Sequence, residues 1–120
     1  MDKLQAYHAF WSSFGLKAYD ETSVPDTATL PYITYEASSD FFGTDLAMTA
    51  SLWYRSTSWA DITAKEKAIA SDIGRGGKIV SYTGGGIWIR RGTPWAQRMP
   101  DSTDDMVRRI VLNVIIEFIE

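Results

Sequence analysis

Apolar residues in the first part of the chain recur at helical spacing. The stripe consists of Leu4, Tyr7, Trp11 and Phe14. Gly15 follows it as the residue that ends the helix. Residues 20–31 are then rich in Asp, Thr, Ser and Pro, which is typical of a loop. The pattern predicts one amphipathic helix followed by an irregular connection.

The period changes to two in the next part of the chain. Residues 30–37 and 46–55 alternate between apolar and polar positions and are rich in β-forming residues. Pro31 stands near the start of the first run, where a strand tolerates proline. The two runs therefore predict an antiparallel ribbon with one buried side.

A helical period returns after residue 57. Its stripe consists of Trp59, Ile62, Ile69 and Ile73. Ser58 followed by Asp61 resembles a capping box at the start of this second helix. The glycines from Gly74 to Gly77 predict its end, because glycine readily adopts the left-handed conformation.

Three strands are predicted in the remaining third. Residues 78–82 and 87–91 are short β-forming runs joined by Thr-Gly-Gly-Gly, which indicates a hairpin. The last run, 106–120, fits both periods, and its many Val and Ile residues favour a long strand. The sequence thus predicts one α+β domain over residues 1–120, in the order α-β-β-α-β-β-β. Its mostly antiparallel sheet has about five strands, with two main helices packed on it.

Composition narrows the function classes. The 120 residues include no cysteine, so disulfides and thiolate metal sites are excluded. The net charge of −3 argues against a dedicated nucleic-acid binder. No secretory signal is visible, and the most apolar run, 110–119, is too short to span a bilayer. We expect a soluble protein.

The glycine-rich segment does not match a phosphate-binding loop. Gly77-Lys78 is followed by Ile79 instead of Ser or Thr, Asp72 stands where the first glycine is required, and the segment follows a helix. The dinucleotide pattern lacks its third glycine and its helix. A helix end and a hairpin turn at residues 84–86 account for these glycines better.

Catalytic groups are sparse. His8 is the only histidine, and no Gly-x-Ser-x-Gly elbow accompanies it. The carboxylate pairs at 20–21 and 104–105 are adjacent residues in predicted loops, whereas glycosidase chemistry needs two carboxylates across a cleft. We expect no catalytic, cofactor-binding or metal-binding residues, and therefore no enzyme.

Arginine and tryptophan are concentrated late in the chain. The cluster contains Arg90, Arg91, Arg98, Arg108 and Arg109, with Trp88 and Trp95 interleaved. Three acids, Asp101, Asp104 and Asp105, lie close by in sequence. Mixed signs disfavour a nucleic-acid groove, since the acids repel phosphates. The pattern favours a protein interface, with ordinary surface ion pairing as the alternative.

Six segments resemble a known family of phage proteins. They read FWSSFGLKAYD, LPYITYEA, LWYRSTSWADI, IGRGGKI, GGIWIRRGTPWAQRM and DDMVRRIVLNVIIEF. In this order, over nearly the whole chain, they resemble small proteins of the tail-assembly region of siphophages and prophages. Those proteins are similar to tail terminators, also called tail-completion or tail-to-head joining proteins.

The resemblance implies an α+β protein with a structural role in the virion. Such a protein lies in the host cytoplasm during assembly, where it can be monomeric, and in the virion it forms a hexameric ring on the head-proximal end of the tail tube. It stops tube polymerisation and contacts the tail tube protein and the head-completion protein. No cofactor, reaction or membrane is implied, and DNA is only passing cargo.

If the chain has the role of that family, we expect the arginine-rich segment to contact neighbouring subunits or the tail tube. The expected contact residues are Arg90, Arg91, Trp95, Arg98, Arg108 and Arg109. Asp101, Asp104 and Asp105 are expected to line the lumen, where negative charge repels DNA. The alternatives are another head–tail connector, a minor capsid or head-completion protein, and a small nucleic-acid-binding regulator.

Overall fold

Two helices and six strands make up the fold in a computed structural model that describes residues 1–100 and 103–120. In chain order they are α1 (Lys3–Ser12), β1 (Lys17–Asp20), β2 (Tyr32–Tyr35), β3 (Asp45–Arg55), α2 (Ala60–Ile73), β4 (Lys78–Tyr82), β5 (Gly85–Met99) and β6 (Val107–Ile119). The strands form one curled sheet in the order β1-β2-β3-β6-β5-β4. The β1–β2 pair is parallel, and the other four pairs are antiparallel.

The α+β class with two helices agrees with the sequence prediction, but the strand count and order were wrong. The sixth strand is β1, which the sequence analysis did not predict as a strand. It has only four residues and pairs in parallel with β2, from Lys17↔Tyr32 to Asp20↔Tyr35. So short a strand carries no periodic signal of its own and depends on its neighbour.

The long strand β5 is a second correction. The sequence analysis ended the predicted strand at residue 91, yet β5 continues to Met99. The pairing with β6 shifts between Arg91↔Val114 and Ala96↔Leu112. This bulge is where a strand accommodates a proline.

The start of α2 also differs from the prediction. Trp59, not Ser58, is the N-cap residue, and its side chain makes no capping hydrogen bond. The Ser58 hydroxyl instead accepts a hydrogen bond from the N–H of Ala60 at 3.0 Å. The end of α2 is as predicted, because Gly74 follows it with a φ of 74°.

Both helices pack on one face of the sheet. Five inward residues of β6 are buried: Ile110, Leu112, Val114, Ile116 and Phe118. They share one core with Ile62, Ile69 and Ile73 of α2 and with Trp11 of α1. The alternate residues of β6 lie on the other face, which neither helix covers and which we call the uncovered face.

Candidate interaction surfaces

The uncovered face carries two arginine–tryptophan pairs. On β6, the guanidinium of Arg109 lies 4.5 Å from the centre of the Trp53 ring of β3. On β5, the guanidinium of Arg90 lies 4.0 Å from the Trp88 ring. Electrostatic attraction between a cation and the face of an aromatic ring holds each guanidinium beside its tryptophan.

Hydrogen bonds and ion pairs fix these arginines in place. Arg109 Nε donates to the Ser51 hydroxyl at 3.2 Å. An Arg90 terminal nitrogen lies 2.6 Å from Asp45 Oδ1 and 3.9 Å from Glu117 Oε1. The Arg90 side chain is only a quarter exposed, so its charge is largely satisfied within the sheet. Arg90 therefore stabilises the arrangement of side chains on the uncovered face, and it offers little free charge to a binding partner.

Arg98 and Arg108 lie on the opposite face, next to the start of α2. Their guanidinium groups lie 4.7 Å and 5.4 Å from the centre of the Trp59 ring. Arg108 also donates to the Thr57 carbonyl at 3.1 Å, which ties β6 to the segment before α2.

An open groove runs beside this arginine pair. Its volume is about 450 Å³. We call it the Trp59 groove, and its lining residues are Ser58, Trp59, Ala60, Thr63, Ala64, Lys67 and Arg98. Arg98 and Lys67 give it positive charge, and Trp59 gives it an aromatic wall.

The other two predicted interface residues occupy different environments. Arg91 is exposed just before the bulge in β5. Trp95 lies within the bulge, half-buried, and packs against the core. Its indole N–H is buried, with no hydrogen-bond acceptor among the described residues. The six predicted contact residues are therefore spread over two faces and the bulge rather than forming one patch.

Of the three predicted lumen acids, Asp101 lies outside the described residues. Asp104 forms an ion pair with Arg55 at 2.7 Å and accepts a hydrogen bond from the Met106 N–H at 2.9 Å. Asp105 is exposed, and its carbonyl accepts a hydrogen bond from Arg108. Asp104 is thus held against the end of β3.

His8 joins α1 to β2. Its Nδ1 lies 2.7 Å from the Tyr35 hydroxyl, and its Nε2 lies 3.2 Å from the Ser12 hydroxyl one turn further along α1. Burial raises the pKa of Tyr35, so that hydroxyl keeps its proton to a higher pH than that of an exposed tyrosine. The arrangement acts as a cross-link between helix and sheet, as expected for a histidine on a helix face.

Residues 1–100 and 103–120 contain neither a cluster of metal ligands nor a membrane-spanning helix. No three His, Asp or Glu side chains there come together as a metal site requires. No helix in the same ranges is long and apolar enough to cross a membrane.

Several surface residues had no sequence signal that marked them as functional. Trp53 was recognised only as a member of an alternating strand, and Asp45 only as part of the turn before it, although each contacts an arginine of the cluster. Phe41 and Phe42 lie in the loop before β3 and are 83% and 62% exposed. Adjacent exposed phenylalanines could have been noticed, because a Phe-Phe pair in a turn-like segment has no core to join.

Comparison with known proteins gives a likeness in fold. No family model and no curated protein sequence matches the chain. Among solved structures, the fold is similar to that of a chain in the virion of a native gene transfer agent (GTA) particle. The TM-score is 0.54 and the identity 21%, over 99% of this chain and 87% of the other.

Proposed function

We propose that this chain is a non-catalytic virion protein that forms a hexameric ring on the end of a phage tail tube. It ends tail polymerisation there and offers the surface to which the head is joined. The observation that carries the proposal is the fold likeness to a chain of a GTA virion along 99% of the sequence. The six sequence segments that resemble tail terminators support the more specific role.

The surfaces of the molecule suit a ring that stacks on a tube. A ring needs two different patches on each subunit, because its contacts are head-to-tail. Stacking needs a further surface directed along the ring axis. The uncovered face and the Trp59 groove are two separate surfaces that lie on opposite sides of the sheet. Arginine and tryptophan, which both surfaces carry, are frequent anchors of protein interfaces.

The acids after β5 have a place in the same proposal. Asp104 and Asp105 would face the lumen of the ring, together with Asp101, and would keep DNA from adhering as it passes. The ion pair of Asp104 with Arg55 lowers the net charge that this segment contributes. A ring in which these residues face outwards would remove them from this role.

The test uses tail tubes assembled from the tube protein of the same genome. Purified chain is added while the tubes elongate, and tube length and tube ends are followed by negative-stain electron microscopy. We expect a ring at one end of each tube and shorter tubes as the concentration of the chain rises. A chain that leaves the tubes unchanged is not a terminator. Binding to portal or head proteins would then indicate a connector, and strongly salt-dependent DNA binding a regulator.

A further inference from the structure

We infer that the acidic loop between β1 and β2 of one copy docks into the Trp59 groove of the next copy and so closes the ring. The occupant of the groove is a second copy of this chain. The inference rests on the proposed function and names the contact on which that ring would depend.

The loop, residues 21–31, carries negative charge that no described residue neutralises. Its residues include Glu21 and Asp26 but no Lys, Arg or His. Both carboxylates are exposed, and neither forms an ion pair with any described residue. Asp20, just before the loop, accepts hydrogen bonds from the Thr22 N–H and hydroxyl at 2.9 Å and 2.7 Å, which hold the turn. The loop thus begins with an ordered turn, and its acidic side chains are exposed to solvent.

The groove carries the complementary charge. Arg98 and Lys67 are exposed, and neither forms an ion pair within the described part of the chain. Stacking on Trp59 fixes the Arg98 guanidinium at the groove, which lowers the entropy lost when a carboxylate binds. A volume of about 450 Å³ accommodates a few side chains of a loop tip.

The two surfaces lie at the same level of the sheet. The strand register runs from Arg98 through Ile110, Leu52 and Ile33 to Ala18. Ala18 belongs to β1, and the acidic loop connects the end of β1 with the start of β2. A rotation about an axis roughly along the strands therefore brings the loop of one copy beside the groove of another.

The edge of the sheet beside the groove is open to a neighbour. The edge strand β4 pairs only with residues 85–89 of β5. The part of β5 that contains Arg98 pairs with β6 on one side, and no described strand pairs with its other side. Because loop and groove are different surfaces, their contact is heterologous, and repeating it gives a closed ring when the rotation closes.

Disulfide trapping tests this contact directly, because the chain has no cysteine of its own. Thr27→Cys places a thiol beside Asp26 without removing its charge, and Ala64→Cys places one in the groove lining. The two single variants are mixed in the presence of elongating tail tubes, on which the ring is proposed to form, and oxidised mildly. We expect a mixed disulfide dimer, since the bond forms only where backbones approach within about 7 Å. Ser81→Cys, on exposed β4, replaces Ala64→Cys as the matched control.

The outcomes separate the inference from the proposed function. A mixed dimer in excess over the Ser81→Cys control, and lost when Arg98→Glu is added to the groove variant, supports the contact. Trapping no greater than the control overturns it, even if rings on tube ends uphold the proposed function. Specific trapping without any effect on tube length would keep the contact and contradict the terminator role.

Discussion

The guanidinium of Arg109 on β6 lies over the ring of Trp53 on β3, 4.5 Å from its centre, and donates a hydrogen bond to Ser51 of the same strand. One side chain thus bridges the two central strands of the sheet on the face that no helix covers. This pairing stabilises the sheet and also shapes the surface proposed to meet other virion proteins.

Replacing Arg109 tests the first of these roles. Arg109→Ala removes the stacking and the hydrogen bond, and we expect the free energy of unfolding to fall by about 1 kcal/mol. Urea denaturation monitored by tryptophan fluorescence measures it. Arg75→Ala is the control, because Arg75 is exposed in the turn after α2, and its effect should stay within about 0.5 kcal/mol. Equal effects would contradict a bridging role.

Two neighbouring glycines should respond very differently to alanine. A Cβ at Gly77, whose φ is +85°, would lie 2.6 Å from Trp88 Nε1 and 2.7 Å from the Ile89 carbonyl oxygen. We expect Gly77→Ala to cost about 3 kcal/mol through strain and overpacking. Gly76→Ala meets nothing within 4 Å and should be nearly neutral. Thermal unfolding compares the two, and similar melting temperatures would count against the close approach of Trp88.

Tyr7 should make stability depend on alkaline pH. Its ring is buried, its hydroxyl has no hydrogen-bond partner within the described residues, and burial raises its pKa. Above pH about 10 the unfolded chain loses this proton while the folded chain keeps it, so stability falls by up to about 1.4 kcal/mol per pH unit.

The comparison variant is Tyr7→Phe, which keeps the ring and removes the titrating group. Near neutral pH it should be at least as stable as the original, since the lost hydroxyl leaves no partner unpaired. Above pH 10 its stability should fall less steeply, as measured by urea denaturation across a pH series. Parallel pH profiles for the two proteins would show that Tyr7 does not carry the effect.

Charge reversal predicts how subunits recognise each other. Arg98→Glu and Asp26→Lys should each fold normally, because both residues are exposed, and each should fail to form rings on tail tubes. A mixture of the two variants should recover rings, because every loop then faces a groove of opposite charge. Electron microscopy of tube ends scores the result. Recovery in the mixture but not in either variant alone is the expected signature.

Much of the fold follows from local pattern. The apolar stripe of α2 and the alternation of apolar residues in β6 each indicate an element with one buried side. The structure has a helix and a strand at these places, as predicted. The strand β1 does not follow, because four residues such as Lys17–Asp20 are stabilised by pairing with β2 and not by their own propensity. The start of α2 was misjudged because Trp59, packed against Arg98 and Arg108, occupies the capping position.

The candidate surfaces were harder to predict than the fold. Arg90 and Arg98 are eight residues apart in one strand, and strict alternation would place them on the same face. The pairing partners show why they are not. Arg91 pairs with Val114 and Ala96 with Leu112, so β5 advances five residues while β6 advances two. Because side chains alternate between the two faces of a sheet, this odd difference of three moves the side chains after the bulge to the opposite face. The amino-acid composition of β5 gives no sign of this shift.

The bulge in β5 also has a consequence for how the protein can diversify. Substitutions before it, as at Arg90, alter the uncovered face, whereas substitutions after it, as at Arg98, alter the side next to α2. A lineage could therefore retune one surface for a new partner while its other surface is conserved. An insertion or deletion of a single residue in the bulge would move every following side chain of β5 to the opposite face of the sheet, and so to a different partner.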